Sequence, residues 1–211
     1  THSYSSAASD VYKRQTLDRA DDLARAIDDH CDGYLCVRGG YGAMHLLPTL
    51  RGLISRWPNR PFAGFSDITA LHLMLNRAGY VTYHAPVLTA LAKASSPKPI
   101  WERLRKALMG QMPPTEQLDG SGNGLGSAIG PLVGGNLSLL SACLTIPDCA
   151  RPEGSIVLIE EVSEWPYRID RMLTGLIMSG VFDSAAGFAL GSFDRCGNHP
   201  SEATQVLSLI H

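Results

Sequence analysis

The chain has 211 residues, enough for one ordinary domain or for two small domains that share an interface. Its 45% hydrophobic and 18% charged residues are typical of a globular protein rather than a disordered one. The net charge of −2 offers no basic excess for nucleic acid or an anionic membrane, and no run approaches the roughly 20 apolar residues of a membrane helix. The first residues also lack the basic and apolar segments of a secretory signal.

The cysteines and histidines do not have the spacing of a disulfide framework or a metal site. Because the five cysteines are odd in number and form no C-x-x-C pair, we expect free thiols in a reducing cytoplasm. The seven histidines are scattered and lack the i, i+4 spacing of a helical metal site. We therefore predict no metal.

Both ends of the chain differ in composition from the rest. Residues 1–15 (THSYSSAASDVYKRQ) are polar and lack apolar periodicity, and the pattern changes at Thr16. The string SAASDVYKRQ resembles a translated sequencing adaptor, and residues 206–211 (VLSLIH) resemble the matching adaptor. We predict that both tails are non-native and that the natural protein continues beyond them; the alternative is a genuine disordered tail.

Residues 16–93 alternate between strand and helix patterns, which predicts a parallel α/β sheet. The predicted elements are a helix over 17–29, a strand over 33–37, a helix over 44–57 that is broken at Pro48 or split around it, a strand over 59–65, a helix from Ile68 to a glycine stop at Gly79, and a strand over 81–87.

Residues 94–127 have the Pro-, Gly- and Ser-rich composition of a linker and contain a short helical pattern, WERLRKAL. A second domain is predicted over 128–205. Its predicted elements are a helix capped by Asn136 and running to about Leu144, a buried strand over 155–160, and a helix from Pro166 to Gly180.

Ser66 follows a predicted strand and precedes a helix in the sequence Gly64-Phe65-Ser66-Asp67. A serine on such a turn can expose its hydroxyl beside backbone N–H groups that stabilise an oxyanion. The second glycine of G-x-S-x-G is absent, with Ile68 in its place, so the pattern alone favours the alternative that Ser66 or Asp67 merely caps the helix.

The glycine-rich turn Arg38–Gly42 also lies between a strand and a helix. Its glycines permit a close backbone approach, so the turn could donate an N–H to an oxyanion or hold a phosphate, and a plain tight turn is equally compatible. It matches neither the P-loop nor the dinucleotide fingerprint.

Glu160 ends a predicted strand, where ligand-facing residues of α/β sheets lie, and a carboxylate there could orient a histidine. Glu161 and Glu164 are alternatives, and spacing alone favours three solvated charges at a helix entry. His45, His72 and His84 are expected to be structural. A serine and an acid without an evident general base do not complete a catalytic site.

Four blocks in order resemble the LD-carboxypeptidase family: ARAIDDHCDGYLCVRGGYGAMHLLP, RPFAGFSDITALHLMLNRAGYVTYHAPV, PLVGGNLSLLSACLTIP and SIVLIEEVSEWPYRIDRMLTGLIMSG. The resemblance spans Thr16 to about Gln205. It implies a flavodoxin-like, class I glutamine amidotransferase-like first domain that lacks its opening strands, and part of a smaller α/β second domain. It also implies a cytoplasmic, cofactor-free serine peptidase of murein recycling.

On the matching positions, the resemblance makes Ser66 the nucleophile and Glu160 the acid that orients the histidine of a Ser-Glu-His triad. The oxyanion donors would be the backbone N–H groups of Gly39 or Gly40 and of Asp67, with Arg38 as a candidate anion binder. The family's histidine lies downstream, and neither His199 nor His211 matches it, so we expect this fragment to be inactive and marginally stable.

The implied reaction releases a C-terminal D-amino acid from an L-centre, typically D-alanine from a murein tetrapeptide. Three alternatives remain open at this point: the microcin-immunity branch of the family, which acts on peptidyl-nucleotides; a non-catalytic ligand-binding α/β module; and a nucleotide-binding domain. The family also implies homodimers, for which the sequence shows no interface.

Overall fold

The computed structural model describes residues 3–29, 31–113, 122 and 126–197, with residues 3–15 as backbone only. The sequence also makes predictions for His199 and for residues 206–211, which lie outside the described residues, as do 114–121 and 123–125 of the predicted linker. The predicted division into two domains, a linker and two tails therefore stays a prediction.

The first sheet has three short parallel strands in sequence order, with the second strand in the centre. The strands are β1 Tyr34–Leu35, β2 Phe62–Gly64 and β3 Tyr83–His84. Parallel neighbours require crossover connections, which two helices supply here. These are α2 Leu47–Leu53, which lies between 3-10 turns at Ala43–Leu46 and Ile54–Arg56, and α3 Thr69–Arg77, which follows a 3-10 turn at Ser66–Ile68.

The second sheet is also parallel and three-stranded, with β5 in the centre. Its strands are β4 Leu132–Asn136, β5 Ile156–Val162 and β6 Gly187–Asp194. The remaining helices are α1 Ser3–Asp28, α4 Leu88–Lys93, α5 Pro97–Leu108, α6 Leu137–Cys143 and α7 Pro166–Met178.

Several predicted helix boundaries are confirmed. Pro166 begins α7, where its fixed φ and missing donor are tolerated, and Pro48 likewise stands in the first turn of α2. The predicted interruption near Pro48 is therefore a change from a 3-10 turn, Ala43–Leu46, to α2, which begins one residue before the proline. Asn136 caps α6 by accepting a hydrogen bond from the backbone N–H of Leu139. Helix α1 begins at Ser3 rather than at residue 17.

Three elements were not predicted: α4, β4 and β6. In addition, β5 continues to Val162, so Glu160 lies within the strand instead of at its end. Both sheets are parallel and both carry helices, which confirms the predicted α/β class.

One apolar core joins the two sheets, and α3 lies at its centre. Every residue of α3 from Thr69 to Leu75 is buried, so the helix is covered on all sides, and it packs against both β4 and α6. Helix α6 in turn packs against α7. The N-terminus of α3 and the carboxyl ends of the strands are therefore brought together at the junction of the two sheets.

Candidate active site

Ser66 occupies a sharp turn between β2 and α3. Its φ of 62° lies in the left-handed region, which a non-glycine residue enters at a cost of about 1–2 kcal/mol. The turn also requires Gly64, because a Cβ there would lie 2.5 Å from Cγ2 of Ile68. The strand-to-helix serine turn predicted from the sequence is therefore present, and it is strained.

The capping alternative for Ser66 and Asp67 is wrong, because Ile68 occupies the N-cap position of α3 and Phe65 that of the preceding 3-10 turn. The buried carboxylate of Asp67 instead accepts a hydrogen bond from the backbone N–H of Ala43, at 2.9 Å. This bond ties the serine turn to the residue that follows the glycine-rich turn.

The glycine-rich turn lies directly against Ser66. A Cβ on Gly39 would stand 3.1 Å from Cβ of Ser66 and 3.1 Å from the carbonyl oxygen of Phe65, a tight contact that the absence of a side chain on Gly39 avoids. Gly40 and Gly42 have φ values of 122° and 107°. The structure therefore brings together the two turns that the sequence singled out separately.

The two arginines near this turn line a small cavity of about 160 Å³ together with Gly39 and Asp67. The side chain of Arg38 is exposed, whereas Arg19 donates a hydrogen bond from Nη1 to the carbonyl oxygen of Tyr41, at 3.0 Å. The role of Arg38 as an anion binder stays a prediction, and Arg19 supports the turn.

Ser66 opens into a cavity of about 630 Å³ at the junction of the sheets. Its wall combines the glycine-rich turn and the serine turn with residues from the second sheet and α6; among the lining residues are Tyr41, His45, Asp67, Asn136, Ser138 and Glu161. The cavity is large enough for a peptide-sized ligand.

Glu161 is buried, and its carboxylate accepts hydrogen bonds at both oxygens. The donors are Nδ2 of Asn136 at 2.7 Å, the backbone N–H and hydroxyl of Ser138 at 3.0 and 2.7 Å, and the backbone N–H of Val162 at 2.9 Å. Sequence reasoning named Asn136 only as a cap and missed Ser138. Gly134 and Gly135, which precede Asn136, were the available sequence signal that another segment of the chain approaches closely here.

Glu160 is equally buried but has the opposite environment. Neither carboxylate oxygen has a hydrogen-bond partner within the described residues, and Oε1 lies 3.5 Å from Nε2 of His84. Glu164 is less buried and lies at the entry to α7, where it accepts from the backbone N–H of Trp165 and faces Arg168. The interpretation of all three acids as solvated charges is therefore wrong for Glu160 and Glu161.

The three histidines have different surroundings. His45 is exposed and lines the Ser66 cavity. His72 is buried on α3, where Nε2 lies 3.1 Å from the carbonyl oxygen of Gly64, and burial lowers the pKa of its imidazole to about 4. His84 packs against Phe65, with 4.8 Å between the ring centroids. A His or Cys cluster able to hold a metal is not found among the described residues.

All five cysteines lie within the described residues and are free thiols. None of the described helices is both long enough and apolar enough to cross a membrane.

Two family models match the chain. The LD-carboxypeptidase N-terminal domain matches residues 2–85, and the LD-carboxypeptidase C-terminal domain matches residues 129–211.

Curated relatives carry consistent descriptions. A putative carboxypeptidase of Synechocystis sp. is 41% identical over 196 residues, covering 90% of this chain and 60% of the relative. The murein tetrapeptide carboxypeptidase of Pseudomonas aeruginosa is 35% identical over 192 residues, covering 84% of this chain and 61% of the relative. The chain thus spans about three fifths of the length of these relatives.

Solved structures share the fold. The muramoyltetrapeptide carboxypeptidase from Oxalobacter formigenes superposes with a TM-score of 0.75 at 23% identity, over 90% of this chain and 68% of that protein. An MccF-like protein from Bacillus anthracis superposes with a TM-score of 0.76 at 22% identity, over 93% of this chain and 70% of that protein.

Proposed function

Because the chain belongs to the LD-carboxypeptidase family, we propose that the full-length protein is a serine carboxypeptidase that cleaves the amide between an L-centre and a C-terminal D-amino acid. The proposed substrate is a murein tetrapeptide, with D-alanine as the leaving group. The observation that carries this proposal is the strained φ of Ser66 at the mouth of the 630 Å³ cavity, with Gly39 directly beside it.

The proposed chemistry begins with attack of the Ser66 hydroxyl on the scissile carbonyl. The backbone N–H groups of Gly39 or Gly40 and of Asp67 would stabilise the oxyanion, and the bond from Ala43 to Asp67 supports this role by holding the two turns together. A histidine beyond the described residues would take the serine proton. Water then releases the acyl group, and no cofactor is needed.

We propose Glu160, rather than Glu161, as the acid that orients this histidine. An orienting carboxylate needs a free acceptor oxygen for the imidazole N–H. Both oxygens of Glu161 already accept hydrogen bonds, whereas both oxygens of Glu160 are unpartnered within the described residues. A buried carboxylate without partners is costly, which supports a role for Glu160 in receiving a further group.

The test is D-alanine release from murein tetrapeptide by the full-length protein. Ser66→Ala should abolish release while the fold is kept, and retained turnover would remove Ser66 from the role. Glu160→Gln should lower kcat by about 10⁴, in line with the loss of an orienting carboxylate in serine proteases. The matched variant Glu161→Gln should chiefly lower stability. If Glu161→Gln lost turnover while Glu160→Gln kept it, the assignment of the acid would be reversed.

The 211-residue chain by itself should release no D-alanine, since the proposed histidine lies outside it. We also propose a homodimer, on the basis of the family resemblance. We propose a cytoplasmic location on the same basis and because all five cysteines are free thiols. Size-exclusion chromatography of the full-length protein checks the dimer. Measurable turnover by the 211-residue chain would show that its own residues complete the site.

A microcin-immunity-type activity is the second candidate, favoured by the fold shared with MccF structures. One of those structures holds glutamyl sulfamoyl guanosine, an acyl-nucleotide analogue. Assaying the full-length protein with murein tetrapeptide and with an aminoacyl sulfamoyl adenosine separates the two candidates. Binding of either ligand without turnover would instead favour a non-catalytic module.

A further inference from the structure

Half-buried His84 and buried Glu160 face each other between the two sheets, and the polar atoms of both side chains are buried. Six buried side-chain polar atoms lack a hydrogen-bond partner within the described residues, and four of these belong to His84 and Glu160. Unpaired buried polar groups are rare in folded proteins, and each requires a physical reason. Because two such groups face each other at 3.5 Å, we interpret their contact as functional rather than coincidental.

The backbone clears a space for this pair. A Cβ on Gly135 would stand 3.1 Å from the His84 ring, and a Cβ on Gly191 would stand 3.1 Å from Cβ of Glu160. The register of β5 against β6 shifts between Ile159 and Glu161, which places a bulge opposite Glu160. Bulges frequently re-aim a side chain beside an active site. The fold thus accommodates both side chains at the junction.

His84 also touches the segment that carries the nucleophile. It pairs in register with Gly64 of β2, and its ring packs on Phe65, the residue before Ser66. His84 lines a second cavity of about 460 Å³, whereas Ser66 lines the 630 Å³ cavity. The polar contact of the His84 ring is with Glu160.

We propose that His84 is a positioning residue for Glu160. Its imidazole would donate the Nε2 proton to Oε1 of Glu160 and leave Oε2 for the histidine that serves Ser66. The 3.5 Å separation is long for a hydrogen bond, but catalytic hydrogen bonds are often long before substrate binds. This inference rests on the proposed function and adds a residue to it.

The test compares His84→Phe, which keeps a ring but removes the donor, with His84→Gln, which keeps an N–H at similar reach. In the full-length protein, His84→Phe should lower kcat about tenfold with KM within twofold, because a buried carboxylate oxygen loses its partner. His84→Gln should recover most of kcat. His72→Gln, a matched change at a buried histidine that contacts Gly64 instead of Glu160, should lower stability but leave kcat within about twofold.

A double-variant cycle separates positioning from packing. If His84 acts through Glu160, then His84→Phe should cost nothing further when added to Glu160→Gln. A full additional tenfold loss, an unchanged kcat in His84→Phe, or equal losses in His84→Phe and His84→Gln would each overturn the proposal.

A spectroscopic readout does not depend on activity. In full-length protein with ¹⁵N-labelled histidine, the Nε2 resonance of His84 should shift in Glu160→Gln and stay in place in Glu161→Gln. No shift in Glu160→Gln would overturn the contact even if His84→Phe does not fold. Absence of D-alanine release by the wild-type protein would instead refute the proposed function, and the resonance would still report on the contact.

Discussion

Replacing Ser66 with glycine should give a more stable protein than replacing it with alanine. At φ 62° an L-residue pays about 1–2 kcal/mol for the left-handed conformation, and this cost is shared by serine and alanine. Glycine avoids that cost but loses about 0.5–1 kcal/mol through the greater freedom of its unfolded chain. The difference favours Ser66→Gly over Ser66→Ala by about 0.5–1 kcal/mol.

Urea unfolding measures this difference, with fluorescence of the buried Trp57 as the probe. With a slope of roughly 2.5 kcal/mol per M, the midpoint of Ser66→Gly should lie about 0.3 M above that of Ser66→Ala. Ser163, which has a φ of 60°, should show the same order. Ser55 lies in a 3-10 turn without a positive φ and should show the reverse, since alanine suits a helix better than glycine. A Ser66→Ala variant as stable as Ser66→Gly would refute the claim of strain at the serine turn.

Two further predictions concern the elements that hold this turn. Gly64→Ala should destabilise the protein by about 1–3 kcal/mol because the added Cβ would lie 2.5 Å from Cγ2 of Ile68. In a chain that already carries Ile68→Ala, the same Gly64→Ala change should cost less. An equal loss of stability from Gly64→Ala with and without Ile68 would contradict the steric argument. Burial, opposed by the contact with the Gly64 carbonyl, lowers the pKa of His72 to about 4, so the unfolded chain binds this proton at a higher pH than the folded chain does. Stability should therefore fall as the pH drops from about 6.5 to about 4, by up to about 3 kcal/mol, and His72→Gln should flatten that dependence in urea unfolding at several pH values.

The sequence predicts the parallel α/β class and the best-defined helices because their patterns are local. The α7 pattern, for example, repeats along one helix face and has Pro166 at its start. Strand β4 was missed because Gly134 and Gly135 interrupt its apolar pattern. A Cβ on Gly134 would lie 2.0 Å from the carbonyl oxygen of Leu158, so these glycines serve a close strand approach that periodicity does not reveal.

The candidate site, like the fold, was predicted from the sequence only in part. The strand-to-helix position of Ser66 was visible in the sequence, but its positive φ and the approach of Gly39 depend on how β1 and β2 are placed beside each other. The contrast between Glu160 and Glu161 was not visible, since neighbouring residues of one strand face opposite sides. Their different partners come from other elements of the fold, which only tertiary structure brings to β5.

Covalent labelling shows whether Ser66 is the activated nucleophile that we propose. The full-length protein is treated with a fluorophosphonate, digested, and examined by mass spectrometry for the modified residue. We expect a single adduct on the peptide that contains Ser66, and none in Ser66→Ala. An unmodified Ser66 in protein that still releases D-alanine, or an adduct on a different residue, would contradict the proposal.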